Sequence, residues 1–157
     1  RLKLKILSLG KTKDSHLLGF EHEICKRLRS PWKPEFIELS PVAFASRDIK
    51  QVLAEEARDV LKRVGCDDRL IALDESGVLL SSVEFSNELQ SLSVNTRGSL
   101  CFLIGSPSGL DQSVRDRADL VLSLSKMTFP YQLARMLLVE QLYRAVSIMQ
   151  GRKYHKE

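Results

Sequence analysis

The sequence predicts an α/β fold on a mainly parallel sheet, and three observations predict it. Five apolar runs of strand length alternate with segments of helical periodicity, the pattern of strands joined by crossover helices. Several of those runs end in glycine-bearing turns, near Gly10, at Asp74 to Gly77 and at Gly105. The 157 residues, 43% hydrophobic and 28% charged, suffice for one substantial core and are too few for two ordinary domains, so a single domain over 1–157 is expected.

Leu2, Leu4 and Ile6 alternate with Lys3 and Lys5, giving a first strand that ends near Gly10. Asp14 or Ser15 caps a helix with Leu17, Phe20, Ile24 and Leu28 on one face, stopped by Pro31 and Pro34. A short strand follows from Phe36 to Leu39. From Asp48, the residues Ile49, Val52, Leu53, Ala57, Val60, Leu61 and Val64 recur at helical spacing, with Gly65 where a left-handed terminal residue belongs. Leu70 to Leu73 reads as a buried strand, closed by Asp74 to Gly77. Ser81 and Glu84 have capping-box spacing ahead of Phe85, Leu89 and Leu92, so a third helix starts there. Leu100 to Ile104 is a fourth strand, Asp111 to Arg117 a short helix and Leu120 to Leu124 a fifth strand.

Pro130 opens the last helix, because its missing N–H would have no intrahelical partner there, and the helix runs to about Gln150. Leu133, Ala134, Met136, Leu137, Leu138, Val139, Leu142, Tyr143, Ala145, Val146, Ile148 and Met149 leave it little polar circumference. Such a helix must be buried on more than one side, so a homodimer with this helix at the interface is expected. The alternative is a central core helix in a monomer.

A net charge of +4 is compatible with a polyanionic partner and equally with an ordinary solvated surface. Cys25, Cys66 and Cys101 stand far apart, with no C-x-x-C and no histidine at ligand spacing, so neither a metal site nor a disulfide framework is expected. No run approaches the roughly 18 apolar residues of a membrane span, so no membrane partner is expected. The cysteine usage fits a reducing compartment.

Ligands of such sheets bind beyond the carboxyl ends of the strands, which directs attention to the loops after Leu73, Ile104 and Leu124. Gly105 to Leu110 is a glycine-containing strand exit that lets backbone approach a ligand; it also reads as a plain βα turn, and it carries no dinucleotide fingerprint. In Leu122 to Pro130, small hydroxyls and backbone lie between a buried strand and a buried helix. They could serve an adenine there, with Leu124, Met127 and Phe129 as apolar walls, or simply complete the core. The terminal Tyr154-His155-Lys156-Glu157 reads as a frayed tail, or as an aromatic, a proton-exchanging imidazole and a cation suited to a nucleotide.

Taken together, L-K-I-L-S-L-G-K at Leu4 to Lys11, I-A-L-D at Ile71 to Asp74, I-G-S-P-S-G-L at Ile104 to Leu110, S-L-S-K-M-T-F-P at Ser123 to Pro130, L-V-E-Q-L-Y-R-A at Leu138 to Ala145 and the terminal Y-H-K-E resemble the RlmH family over essentially the whole chain. The resemblance implies a SPOUT fold of five to six strands with helices on both faces and a C-terminal deep trefoil knot, the knot and cofactor region spanning about 70–157. It implies a dimer with each active site near the subunit boundary. It further implies S-adenosylmethionine (SAM) as methyl donor, no metal, and N3 of a pseudouridine in large-subunit ribosomal RNA of the assembled ribosome as target. The implied cofactor contacts are Leu73, Gly105, Ser106, Leu124, Ser125, Lys126, Met127, Thr128 and Phe129. The family's second loop glycine is Ser106 here, a departure that bears on cofactor affinity.

Methyl transfer from a sulfonium is an in-line displacement, so alignment is the main task, and the N3–H must lose its proton. The expectation is that His155 assists deprotonation, Tyr154 stacks on the base and Arg144 contacts phosphate or the uracil carbonyls. Glu140, one helical turn away at i, i+4, orients Arg144 or forms with it only a surface ion pair worth little. Two rivals stand beside this: a non-catalytic RNA- or ribosome-binding protein on the knotted scaffold, and a nucleotide-binding oxidoreductase. Lys11, Lys13, Lys26, Arg27, Arg29 and Lys33 are candidates for an RNA-facing patch, or for ordinary solvated charge.

Overall fold

A computed structural model describes residues 2–43, 48–106 and 108–156, so the expectations for Pro107 and Glu157 fall outside the described residues. Strands β1 (Lys3–Leu9), β2 (Glu35–Leu39), β3 (Arg69–Leu79), β4 (Ser99–Ile104) and β5 (Leu120–Ser123) form one sheet in the order β2-β1-β4-β3-β5. Every pairing is parallel. Helices α1 (Ser15–Lys26), α2 (Ile49–Leu61), α3 (Ser82–Asn95) and α4 (Gln112–Arg117) connect successive strands, and α5 (Tyr131–Met149) follows β5.

The two-residue period of each strand divides the core into two layers. Leu4, Ile6, Ile71, Leu100, Phe102 and Ile104 face one side, where Ile24 of α1, Phe85 and Leu89 of α3, and Leu138, Val139 and Leu142 of α5 cover them. Leu7, Leu9, Leu70, Ala72, Cys101 and Leu103 face the other, under Ala57 and Val60 of α2 and Val114 of α4. Helices therefore lie on both faces, as the family resemblance implies.

Local chemistry starts the helices where the sequence indicates. The Asp14 carboxylate accepts from the amides of His16 and Leu17 at 2.8 and 3.2 Å. Ser81 and Glu84 exchange both bonds of a capping box, at 3.0 and 2.8 Å. Three local expectations fail, each for a physical reason. Phe20 is 46% exposed while Glu21 is 2% exposed, because the buried stripe of α1 meets an arginine rather than an apolar neighbour. Gly65 lacks a positive φ: α2 ends at Leu61, and the Gly65 amide donates to the Asp68 carboxylate at 2.7 Å. Asp74 to Gly77 does not end β3 but bulges out of it, since Leu73 and Val78 both register with Leu122 and pairing resumes to Leu79. Gly77 permits this because a Cβ there would sit 2.6 Å from the Val121 carbonyl oxygen.

The arginine opposite Glu21 is Arg135 of α5, 4% exposed. Its guanidinium donates two bonds of 2.9 Å to Glu21 and one of 2.7 Å to Glu38 of β2, and lies 4.3 Å from the centre of the Phe36 ring. One side chain thus ties α5 to α1 and to the edge strand. Removing one member of a buried pair leaves the other charged and unsolvated. Arg135→Ala is expected to lower the unfolding free energy by about 3–5 kcal/mol in urea titrations; a loss under about 1 kcal/mol would show that the network contributes little.

Candidate functional site

The carboxyl ends of β3, β4 and β5, adjacent in the sheet, open on a cavity of about 440 Å³. Leu73, Gly105, Ser106, Leu124, Ser125, Met127, Thr128 and Phe129 all line it, whereas Lys126 is exposed and takes no part in the wall. Sequence reasoning placed Gly109, Leu110 and Pro130 in the candidate loops without naming them as contacts, and missed Asp74, Glu75, Ile104, Tyr131 and Ala134 as wall residues. Asp74 and Glu75 passed as turn residues because the bulge that turns them to the cavity depends on pairing with β5, which no local pattern encodes.

Hydrogen bonds shape each loop. After β4, Ser106 and Gly109 form an isolated antiparallel bridge, with the Gly109 amide donating to the Ser106 carbonyl at 3.1 Å. The Ser106 hydroxyl donates to Glu56 of α2 at 2.9 Å. After β5, the Ser123 hydroxyl donates to the Ser125 carbonyl at 2.8 Å, and the Ser125 hydroxyl accepts from the Met127 amide at 3.0 Å. The Thr128 hydroxyl donates to Glu75 at 2.6 Å, joining the β5 loop to the bulge across the wall. Met127 remains 75% exposed. At the start of α5, the Tyr131 hydroxyl donates to the Lys11 carbonyl at 2.8 Å. The Gln132 side chain accepts from the amides of Lys13 and Asp14 at 2.9 and 3.2 Å. This pins the loop after β1, with its exposed lysines, beside the cavity.

The wall is apolar on Leu124, Phe129 and Leu110, with hydroxyls from Ser106, Ser125 and Thr128 and carboxylates from Asp74 and Glu75. Such a lining suits a flat heterocycle carrying a cationic or hydroxylated arm. Burial pushes the Asp74 carboxyl up, but bonds from the Ser76 hydroxyl, Arg115 and the Ser76 amide, with the Arg115 charge, outweigh it and hold it below the ordinary 3.8. The Arg115 bond is 2.8 Å long. Burial raises the Cys25 and Cys101 thiols to about 11, so neither is a thiolate near neutrality.

A second cluster gathers the four residues named on the last helix and tail. Gly151, at φ +68°, ends α5 with a reversal in which the Arg152 amide donates to the Ser147 carbonyl at 2.8 Å, so the tail folds back along the helix. Arg144 then donates to Glu140 at 2.9 and 2.6 Å and to His155 Nδ1 at 3.1 Å, and the Tyr154 hydroxyl donates to Glu140 at 3.2 Å. The Tyr154 ring has the Arg144 guanidinium 4.8 Å from its centre and the Tyr143 ring edge-on at 4.7 Å. Burial and the Glu140 charge raise the Tyr154 phenol above its usual value. Arginine has no acceptor, so His155 Nδ1 must accept, and the neutral ring carries its hydrogen on Nε2. Arg144 lies ten residues beyond Ala134 of the cavity wall, roughly 15 Å along the helix. Within one chain the two clusters do not meet.

Residues 2–155 match a family model described as "Predicted SPOUT methyltransferase". The chain is 43% identical to the ribosomal RNA large subunit methyltransferase H of Caldicellulosiruptor bescii, covering 98% of this chain and 99% of the relative. It is 36% identical to the protein of that name in Enterococcus faecalis, covering 99% and 100%. Among solved structures, a probable methylase family protein from Haemophilus influenzae superposes with a TM-score of 0.56 at 15% identity, over 98% of this chain and 70% of that one. That likeness bears on the fold.

Because the folded Asp74 carboxyl lies below 3.8, its contribution to stability is complete above that pH and is lost as pH falls through the depressed folded value. Asp74→Asn should therefore flatten the acid limb of the urea midpoint against pH while leaving its slope above pH 5 unchanged; coincident curves would refute the assignment.

Proposed function

The chain belongs to the ribosomal RNA large subunit methyltransferase H family of SPOUT methyltransferases, and from that membership we propose that it methylates N3 of a pseudouridine in large-subunit ribosomal RNA of the assembled ribosome, with SAM as donor. The observation that carries the proposal is the cavity in which the Gly105-Ser106 loop and the Leu124 to Phe129 segment converge beside Asp74. Its size falls in the range of small-molecule sites, and its apolar and acidic parts suit an adenosine and a cationic methionyl arm. When bound, SAM supplies an electrophilic sulfonium methyl. In this reading one domain spans 1–157, and the segments from about 70–157 form the family's trefoil knot.

The protein's own work is alignment, water exclusion and proton handling. Leu124, Met127 and Phe129 would hold the adenine, with the backbone of Gly105 and of Ser125 to Thr128 available to hydrogen-bond it. At the tail, the incoming nucleotide draws one Arg144 N–H to a phosphate or uracil oxygen while Glu140 keeps the rest of the guanidinium in place. That exchange releases His155 Nδ1 to accept the N3 proton, and Tyr154 then lies against the base. Support for this order comes from the bond between Arg144 and His155, which must open before Nδ1 can act as a base.

Roughly 15 Å separate the tail cluster from the cavity on one helix, so in this proposal a second copy completes the site. Leu133, Met136 and Leu137 of α5 are partly exposed in one chain, an apolar patch beside Glu140 and Arg144 suited to an antiparallel partner helix. Lys11 and Lys13 beside the cavity, and Arg27 at 5.9 Å from the Tyr143 ring near the tail, then border one RNA path. Lys26 is paired with Glu23 at 3.2 Å. In this proposal the substrate is read by shape across the dimer. The protein acts where ribosomes are, in a bacterial-type cytoplasm or an organelle. Ser106 finds a bridge and a carboxylate partner, which favours retained donor affinity over a non-catalytic scaffold.

Calorimetry with SAM should give a dissociation constant at or below about 100 μM, and no heat at millimolar ligand would overturn the donor assignment. Deleting Tyr154 to Glu157 should leave SAM affinity within about twofold while abolishing methylation of ribosomes; a truncated protein with full activity would refute the tail assignment. Gly105→Trp chains, inactive alone, should recover about a quarter of wild-type activity when re-associated with equal amounts of tail-deleted chains. Failure of the mixture, with heterodimers present, would place both clusters of a working site in one chain.

A further inference from the structure

Glu56 is a buried carboxylate whose charge the mechanism above does not use. It sits on α2, 3% exposed, behind the loop that follows β4. One oxygen accepts from the Ser106 hydroxyl at 2.9 Å, and the other accepts from the Val42 amide at 3.1 Å. Ser106 itself lines the cavity, so the carboxylate stands one hydrogen bond behind the wall. The other acids there are differently placed: Asp74 is matched by Arg115 at 2.8 Å, and Glu75 is exposed to solvent. Among the described residues, no cation lies within ion-pair distance of Glu56.

We infer that Glu56 is a positioning residue with an electrostatic role, holding the Ser106 loop in place and biasing the cavity towards a positively charged methyl donor over the neutral thioether left after transfer. The inference rests on the SAM reading of the cavity. A neutral side chain could bridge a hydroxyl and an amide with less desolvation, so a buried carboxylate with no cation partner among the described residues points to a use for its charge. Water screens a buried charge poorly, so its field reaches several ångströms into the adjoining cavity. Donor and product differ by one methyl and one positive charge, and that charge is what a carboxylate behind the wall distinguishes. The same bias favours donor entry and product release.

The test compares Glu56→Gln with the full-length wild-type protein, titrated calorimetrically with S-adenosylmethionine and with S-adenosylhomocysteine. Glutamine keeps both bonds, its oxygen accepting from Val42 and its amide donating to Ser106, while removing the charge. The preference for the sulfonium over the thioether, taken as the ratio of dissociation constants, is expected to fall about 5- to 10-fold, with thioether affinity within about twofold of wild type. Equal weakening of both ligands, or an unchanged ratio, would overturn the inference while leaving the SAM reading intact. A wild-type protein that bound neither ligand would overturn that reading first. Glu56→Asp supplies a second arm should the glutamine variant fail to fold: it keeps the charge but shortens the reach to Ser106. Both affinities should then fall together with the ratio held within about twofold, and a collapsed ratio would count against the charge.

Discussion

All five strands run in one direction, and that constraint places every loop that leaves a strand at the same edge of the sheet. The order β4-β3-β5 then brings three such exits side by side, where the Gly105 loop, the Asp74 bulge and the Leu124 segment close a cavity none of them could form alone. Even the loop after β1 joins its mouth through Tyr131 and Gln132. Reversing any one of these strands would send its loop to the opposite edge.

Helix α5 depends on this arrangement and extends its reach. Its first turns furnish Pro130, Tyr131 and Ala134 to the cavity, Arg135 locks it to α1 and β2, and its last turns carry Glu140 and Arg144 to the folded-back tail. A rigid helix keeps the two ends apart, which is the physical basis for proposing that two copies together make one site. The charges follow a division of labour: the Arg135 cluster is buried and structural, while the Arg144 cluster is half-buried, with one of its bonds going to a neutral imidazole.

Much of the candidate site was legible in linear sequence. The wall residues after β4 and β5 stand in strand-to-helix connections, where apolar runs stop and small polar residues begin, and Glu140 and Arg144 meet because four residues make about one helical turn. The remaining wall residues were hidden for one reason: their contacts join distant segments. Tyr131 meets Lys11 across 120 residues, and Glu75 meets Thr128 across 53. The roles expected for Tyr154 and His155 also acquired geometry that no motif contains, since one ring lies beside a guanidinium and the other accepts its hydrogen bond.

What the sequence determined by itself was the alternation of strands and helices, the caps at Asp14 and Ser81, and the apolar circumference of α5, because each is set by interactions within a few residues. Tertiary structure alone decided that Glu21 rather than Phe20 is buried and that Asp74 to Gly77 bulges instead of ending β3. In each case the deciding partner, Arg135 or β5, reaches the residue only once the chain has folded, and a buried charge or a backbone ladder then outweighs local preference.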